Sequence, residues 1–187
     1  GGMSYVWLAK KLDTNENFVV KEPIIREDDL QSTRLNIEKI RHEAKVLRVL
    51  RHRNIVSLVE AFEVLRTVSG VDLNPVILVL EYIDGPSLDS YVRNSRPSMN
   101  VVIDIMKQLC DAVSFMHRNN VIHRDIKPKN ILVERKSSIV KLIDFGTSRY
   151  YYDQPMSNEA VISPGGYTAP EQRRFLSSPQ SDIWSLG

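Results

Sequence analysis

The hydrophobic pattern of the chain changes period at Asp84-Gly85-Pro86. Before this break, apolar residues gather in short runs rich in β-branched and aromatic side chains, which is strand patterning. After it they recur at i, i+3 and i+4, which is helix patterning. Gly and Pro together punctuate a chain strongly, so the break reads as a lobe boundary. Strands with one helix, followed by helices, imply an α+β architecture: a small β-rich lobe over residues 1–83 and a mainly helical lobe over residues 84–187.

Within the first part, residues 5–10 and Phe18-Val19-Val20-Lys21 read as strands around a polar turn at residues 13–17, the second strand closed by Pro23. Residues 24–33 are polar and read as loop. Ile37, Ile40, Ala44 and Leu47 then mark an amphipathic helix over residues 35–51. Residues 54–64 and 75–82 read as strands joined through Thr67-Val68-Ser69-Gly70. In the second part a short helix is predicted over residues 88–93. A long helix follows over residues 100–118, with Val102, Ile105, Met106, Leu109, Val113 and Met116 on one face, ended by Asn119-Asn120.

The bulk properties narrow the classes. A net charge of +2 makes no electrostatic case for nucleic acid or a membrane surface. No apolar run reaches the ~18 residues of a membrane span. The single cysteine, Cys110, excludes an internal disulfide and fits a reducing, cytoplasmic setting; its apolar helical surroundings predict a buried packing role. The abrupt opening on Gly1-Gly2-Met3 and the apolar close on Asp182-Ile183-Trp184-Ser185-Leu186-Gly187 read as cuts through structure, so the helical lobe is expected to be incomplete.

The chemistry concentrates in Val121-Ile122-His123-Arg124-Asp125-Ile126-Lys127-Pro128-Lys129-Asn130. Behind it, Ile131-Leu132-Val133 and Ile139-Val140-Lys141-Leu142-Ile143 flank a polar turn, which predicts a β-hairpin. A hairpin sets the start of one strand beside the end of its partner, so Asn130 and Asp144 are expected to be neighbours. An amide oxygen beside a carboxylate is a hard-oxygen pair suited to Mg²⁺, which keeps positions for water and phosphate. Pro128 fixes its own φ and biases Lys127 towards an extended conformation, which aims Lys127 and Asp125. A lone loop Asp is ordinarily a solvated turn former. The whole set, with Asp144-Phe145-Gly146 behind it, is not explained that way.

On these motifs the chain resembles the eukaryotic-type protein kinases, and Ala169-Pro170-Glu171 resembles the motif that closes their activation segment. Asp182 to Gly187 resembles the start of the central helix of the large lobe. The resemblance implies a bilobal kinase-like fold, ATP and Mg²⁺ as nucleotide and metal, and a protein substrate; Lys127 is similar to the Ser/Thr subclass. It implies Asp125 as base, Lys127 as neutraliser of phosphate charge, and Asn130 and Asp144 as metal ligands. Lys21 and Glu43 resemble the lysine and helix glutamate that pair in kinases. On this reading Lys21→Ala removes phosphotransfer while sparing the fold.

Leu78 to Ile83 resembles the strand and hinge that hold adenine, with Leu80 as gatekeeper, backbone groups of Glu81 and Ile83 on the base, and Val6, Val19 and Leu132 around the ring. Gly1, Gly2, Met3 and Ser4 stand at the Gly-rich phosphate loop, with Ser4 in place of its third glycine. Pro164 stands where Ser/Thr kinases place a Thr. Thr147, Ser148, Ser157 and Ser163 are candidate phosphorylation sites opposite Arg124, whereas Tyr150-Tyr151-Tyr152 reads as packing. Two alternatives are a non-catalytic pseudokinase scaffold and a small-molecule kinase. Retention of Lys21, Asp125, Asn130 and Asp144 argues against the first, and Ala169-Pro170-Glu171 against the second.

Overall fold

The computed structural model describes residues 3–152, 166–174 and 176–187. They divide into two compact units, one of the described residues up to 49 with 57–82, the other of residues 50–56 and the described residues from 83 on.

In the first unit β1 (Ser4–Lys10) and β2 (Asn17–Pro23) form an antiparallel hairpin in register Val6↔Lys21 and Leu8↔Val19. Its turn closes through the Lys11 N–H on the Glu16 carbonyl, with Asn15 at φ 58°. β6 (Val76–Glu81) pairs with β2 and with β3 (Leu58–Glu63), giving the order β1-β2-β6-β3. Directly opposed residues share a face. Val6, Lys21 and Leu78 therefore line one face together with Leu8, Val19 and Leu80.

Helix α1 (Leu30–Val49) begins five residues before the sequence-based expectation. The cause is a cap: Asp29 Oδ1 accepts the Ser32 N–H at 2.9 Å, satisfying a first-turn donor. Hydrogen bonds from Ser32, side chain first and then backbone, hold the Asp29 carboxyl below its ordinary range. The entry is locked further by Thr33 on Arg26 and by Asn36 Nδ2 on the Ile24 carbonyl.

A second correction lies between β3 and β6, where the expected simple connection contains a small hairpin, β4 (Arg66–Val68) with β5 (Val71–Leu73). Its two-residue turn, Ser69 at φ 49° and Gly70 at φ 76°, matches the twist of the flanking strands. Burying Val68 and Leu73 against Ile37 gives this hairpin its reason to form.

In the second unit α2 (Leu88–Ser95) is capped by Ser87, which accepts the Ser90 N–H. Gly85 lies tight against the neighbouring backbone: a Cβ there would sit 1.9 Å from the Val133 carbonyl oxygen. Helix α3 (Met99–Arg118) buries Ile105, Leu109, Ala112, Val113 and Met116. Two expectations fail on this helix. Val102 is exposed, and so is Cys110, which lies about 100° around the helix from Leu109 and off the buried stripe.

β7 (Val121–Ile122) pairs with β10 (Arg149–Tyr150), and β8 (Ile131–Val133) with β9 (Val140–Leu142). Helix α4 (Pro179–Leu186) follows a 3-10 turn over Pro170–Arg174. Residues 54–56, expected as the start of a strand, belong instead to this unit. Val56 N–H donates to the Leu142 carbonyl, Leu142 N–H to the Asn54 carbonyl, and Asn54 Nδ2 to Val140 O and Gln108 Oε1. Tyr150 is half-buried on β10, whereas Tyr151 and Tyr152 meet edge to face but are exposed and do not pack in the core.

Candidate active site

In the first unit Lys21 extends from β2 to Glu43 on α1, with Nζ 2.7 Å from Oε2. Glu43 is fully buried and Lys21 is 8% exposed. A charge at that depth is tolerable only with its partner in place. Loss of Lys21 therefore carries a folding cost, and the expectation that Lys21→Ala spares the fold is revised accordingly. Val6 and Val19 lie on the Lys21 face, Val6 largely exposed. Leu80 is buried on the same face. Glu81 is tied to Ser57 twice: its N–H donates to the Ser57 carbonyl, and its Oε1 accepts the Ser57 N–H at 2.7 Å. Met3 O accepts the Ile24 N–H, and Ser4 opens β1 opposite Pro23. Gly1 and Gly2 lie outside the described residues.

In the second unit Asp125, Lys127 and Asn130 come together in one loop. Lys127 Nζ donates to both Asp125 oxygens, at 2.9 and 2.7 Å. Asn130 Nδ2 donates to the Asp125 carbonyl and to its Oδ2, both at 2.9 Å. Lys127 is extended (φ −159°, ψ 157°) ahead of Pro128, as the proline demands. Ile143 N–H donates to the Asn130 carbonyl, so the hairpin does set Asn130 beside the Ile143-Asp144 step. Asp144 is exposed at φ 66°, a conformation Asp tolerates better than most residues. Leu132 is partly buried on β8, and Ile83 is buried.

The donor set fits a magnesium ion. With its amide hydrogens spent on Asp125, Asn130 would offer its hard Oδ1, and the hairpin sets Asp144 one residue beyond the strand partner of Asn130. Among the described residues no group of three or more His, Cys, Asp or Glu is gathered into a metal cage. One or two protein oxygens suit Mg²⁺, which completes its shell with water and phosphate.

The structure also shows what holds this loop, which the motifs did not reveal. Asp182 on α4 is fully buried. Its Oδ2 accepts the His123 N–H, its Oδ1 accepts the Arg124 N–H, and His117 Nε2 lies 2.8 Å from Oδ2. A carboxylate within a short apolar helix needs such partners, and that was the signal available in the sequence. His123 Nδ1 accepts the Asp125 N–H, which leaves Nε2 to donate to the Ile143 carbonyl. Its ring packs edge-on to Phe145, which is completely buried. Gln172 bridges Arg124 and Ala169 through its two amide ends.

Residues around this loop have structural partners of their own. The Ser87 hydroxyl serves the α2 cap, and Asp84 lies 3.4 Å from Arg135. Ser148 is buried and bonds the Phe145 carbonyl, so it is a poor phosphorylation site in this state; Thr147 bonds the His123 carbonyl. Ser157, Ser163 and Pro164 lie outside the described residues. Glu171 accepts the Ser181 hydroxyl at 2.7 Å. Among the described residues no helix is long and apolar enough to cross a membrane.

The protein kinase domain family matches residues 1–187. The chain is similar to serine/threonine-protein kinase PknB of Mycobacterium leprae, 33% identical over 192 residues covering 100% of this chain and 29% of that protein. It is also similar to calcium-dependent protein kinase 8 of Arabidopsis thaliana, 35% identical over 191 residues covering 100% of this chain and 34% of that protein. PknB of Mycobacterium tuberculosis is 35% identical over 193 residues, with 100% and 29% covered. The chain thus spans about a third of the length of these curated relatives.

Proposed function

The chain belongs to the protein kinase family, and on that premise we propose that it transfers the γ-phosphoryl group of ATP to Ser or Thr hydroxyls of a protein. The observation that carries this reading is the Asp125–Lys127–Asn130 constellation, in which one carboxylate is oriented by a cation and an amide. Asp125 orients the acceptor hydroxyl and takes its proton as the new P–O bond forms. The bond from the γ-phosphorus to the bridging oxygen breaks, and ADP leaves with the electron pair. Lys127, already beside Asp125, offsets the charge of the transferring group. Lys21, aimed by Glu43, contacts the α- and β-phosphates. Asn130 and Asp144 would hold Mg²⁺, which when bound would supply positive charge against the phosphates. By family resemblance, backbone groups of Glu81 and Ile83, with Val6, Val19 and Leu132, are assigned to the adenine, and Met3 and Ser4 to the phosphates.

The chemistry asked of the protein is positioning and charge stabilisation, and a loop this heavily hydrogen-bonded suits that task. Serine/threonine specificity is supported by Lys127 and by the name of the PknB relatives. The test is incubation of the full-length protein with γ-labelled ATP, Mg²⁺ and generic protein substrates, followed by phosphoamino-acid analysis. Label on Ser and Thr is expected. Label on Tyr alone would overturn the specificity, and no label on any protein would favour a non-catalytic scaffold.

A further inference from the structure

Arg124 immediately precedes the proposed base and has φ 73°, a region costly for a residue with a long side chain. Such a backbone persists only when its surroundings over-determine it. Each polar group of the two peptides around Arg124 is engaged. Its N–H donates to Asp182 Oδ1 at 2.8 Å, and its carbonyl accepts Gln172 Nε2 at 2.8 Å. The following N–H, that of Asp125, meets His123 Nδ1 at 3.3 Å. The Arg124 carbonyl and the Asp125 N–H belong to one peptide plane. Gln172 therefore grips, from outside the loop, the plane from which the Asp125 side chain departs.

The opposite end of the same amide is also used: Gln172 Oε1 accepts the Ala169 N–H at 2.9 Å. Gln172 is 2% exposed, so both bonds lie in a dry setting where a lost partner is expensive. A single side chain spans the catalytic loop and the segment ending at Ala169-Pro170-Glu171. Resting on the function proposed above, the geometry points to Gln172 as a positioning residue of phosphoryl transfer. It fixes the Arg124–Asp125 peptide, and so the base, relative to the Thr168-Ala169 backbone. Its two bonds go to Arg124 and Ala169, neither of which is assigned to nucleotide or metal, so its contribution falls on the transfer step rather than on ATP binding.

Two substitutions separate this role from mere core filling. Gln172→Glu keeps an acceptor for Ala169 but presents an oxygen in place of the donor to the Arg124 carbonyl. Gln172→Met fills similar volume and supplies neither bond. The full-length protein, both variants and an Asp125→Asn control are assayed for kcat and for KM of ATP, with Mg-ATP affinity measured by calorimetry. In both Gln172 variants kcat is expected to fall about 10- to 100-fold, with KM and Mg-ATP affinity unchanged. Parental kcat in both overturns the inference. Loss of Mg-ATP affinity in step with kcat, or failure of both variants to fold, shows a purely structural residue and overturns it too. Parent protein that transfers no more phosphate than Asp125→Asn overturns the proposed function itself, and the inference with it.

Discussion

Lys21 meets Glu43 across 22 residues of sequence and two different elements, whereas Lys127 and Asn130 reach Asp125 from two and five residues away within one loop. The first contact exists because β2 and α1 are packed in one particular way. Strand register sets which face Lys21 takes, and the rotation of α1 sets where Glu43 points. The second is largely a local product of Pro128 and the loop backbone, then clamped by Asp182 and Gln172. The difference teaches where function and stability are coupled. In the first unit the proposed phosphate-binding cation is also a buried charge partner, so one cannot be altered without the other. In the second, the clamps are separate residues from the reacting group, and chemistry can be removed while the loop stays in place.

The sharpest way to break this contrast is Lys21→Met. It leaves Glu43 as a fully buried carboxylate without its cation, and losing one partner of such a pair costs about 3–5 kcal/mol. Urea unfolding should show that loss, together with abolished phosphate transfer. The double variant Lys21→Met/Glu43→Leu should regain most of the stability and none of the transfer. Unchanged unfolding of Lys21→Met would separate function from stability in the first unit and dissolve the distinction.

A smaller effect is expected at Gly85→Ala, where the new methyl would meet the Val133 carbonyl at 1.9 Å. Relieving that overlap should destabilise the second unit by about 1–3 kcal/mol, read as a lower thermal midpoint. The smallest is at Asp29→Ala, which removes the α1 cap. The Asp29 carboxyl is held below its ordinary value, so its contribution is present at neutral pH and is lost as pH falls through its folded value. The midpoint gap between parent and variant should therefore close in acid. A gap that widens in acid would contradict the cap.

How much of this was legible in the sequence follows the same division. The Asp125 loop and its hairpin could be read because their geometry is local: a proline, a turn and two short apolar runs suffice. The Lys21–Glu43 contact entered only through family resemblance, since no period or spacing encodes a meeting of strand and helix. The early start of α1 was written in Asp29 and Ser32, but an isolated Asp-x-x-Ser is common in loops. The β4–β5 hairpin and the exposure of Cys110 were not readable, because both depend on which face of a helix is covered. The clamps on Arg124 were hidden for the same reason. Asp182 and Gln172 lie 58 and 48 residues away, and only packing shows where their side chains go.

The most direct measurement is the single-turnover rate of phosphate transfer by Asp125→Asn at saturating Mg-ATP, in the full-length protein. The substitution keeps the side chain's shape and removes the carboxylate that Lys127 and Asn130 orient. The account expects nucleotide affinity and unfolding close to those of the parent, with transfer reduced by about 10²- to 10⁴-fold. Transfer at the parental rate would show that this loop is not where the proton goes, and the proposed mechanism would be wrong.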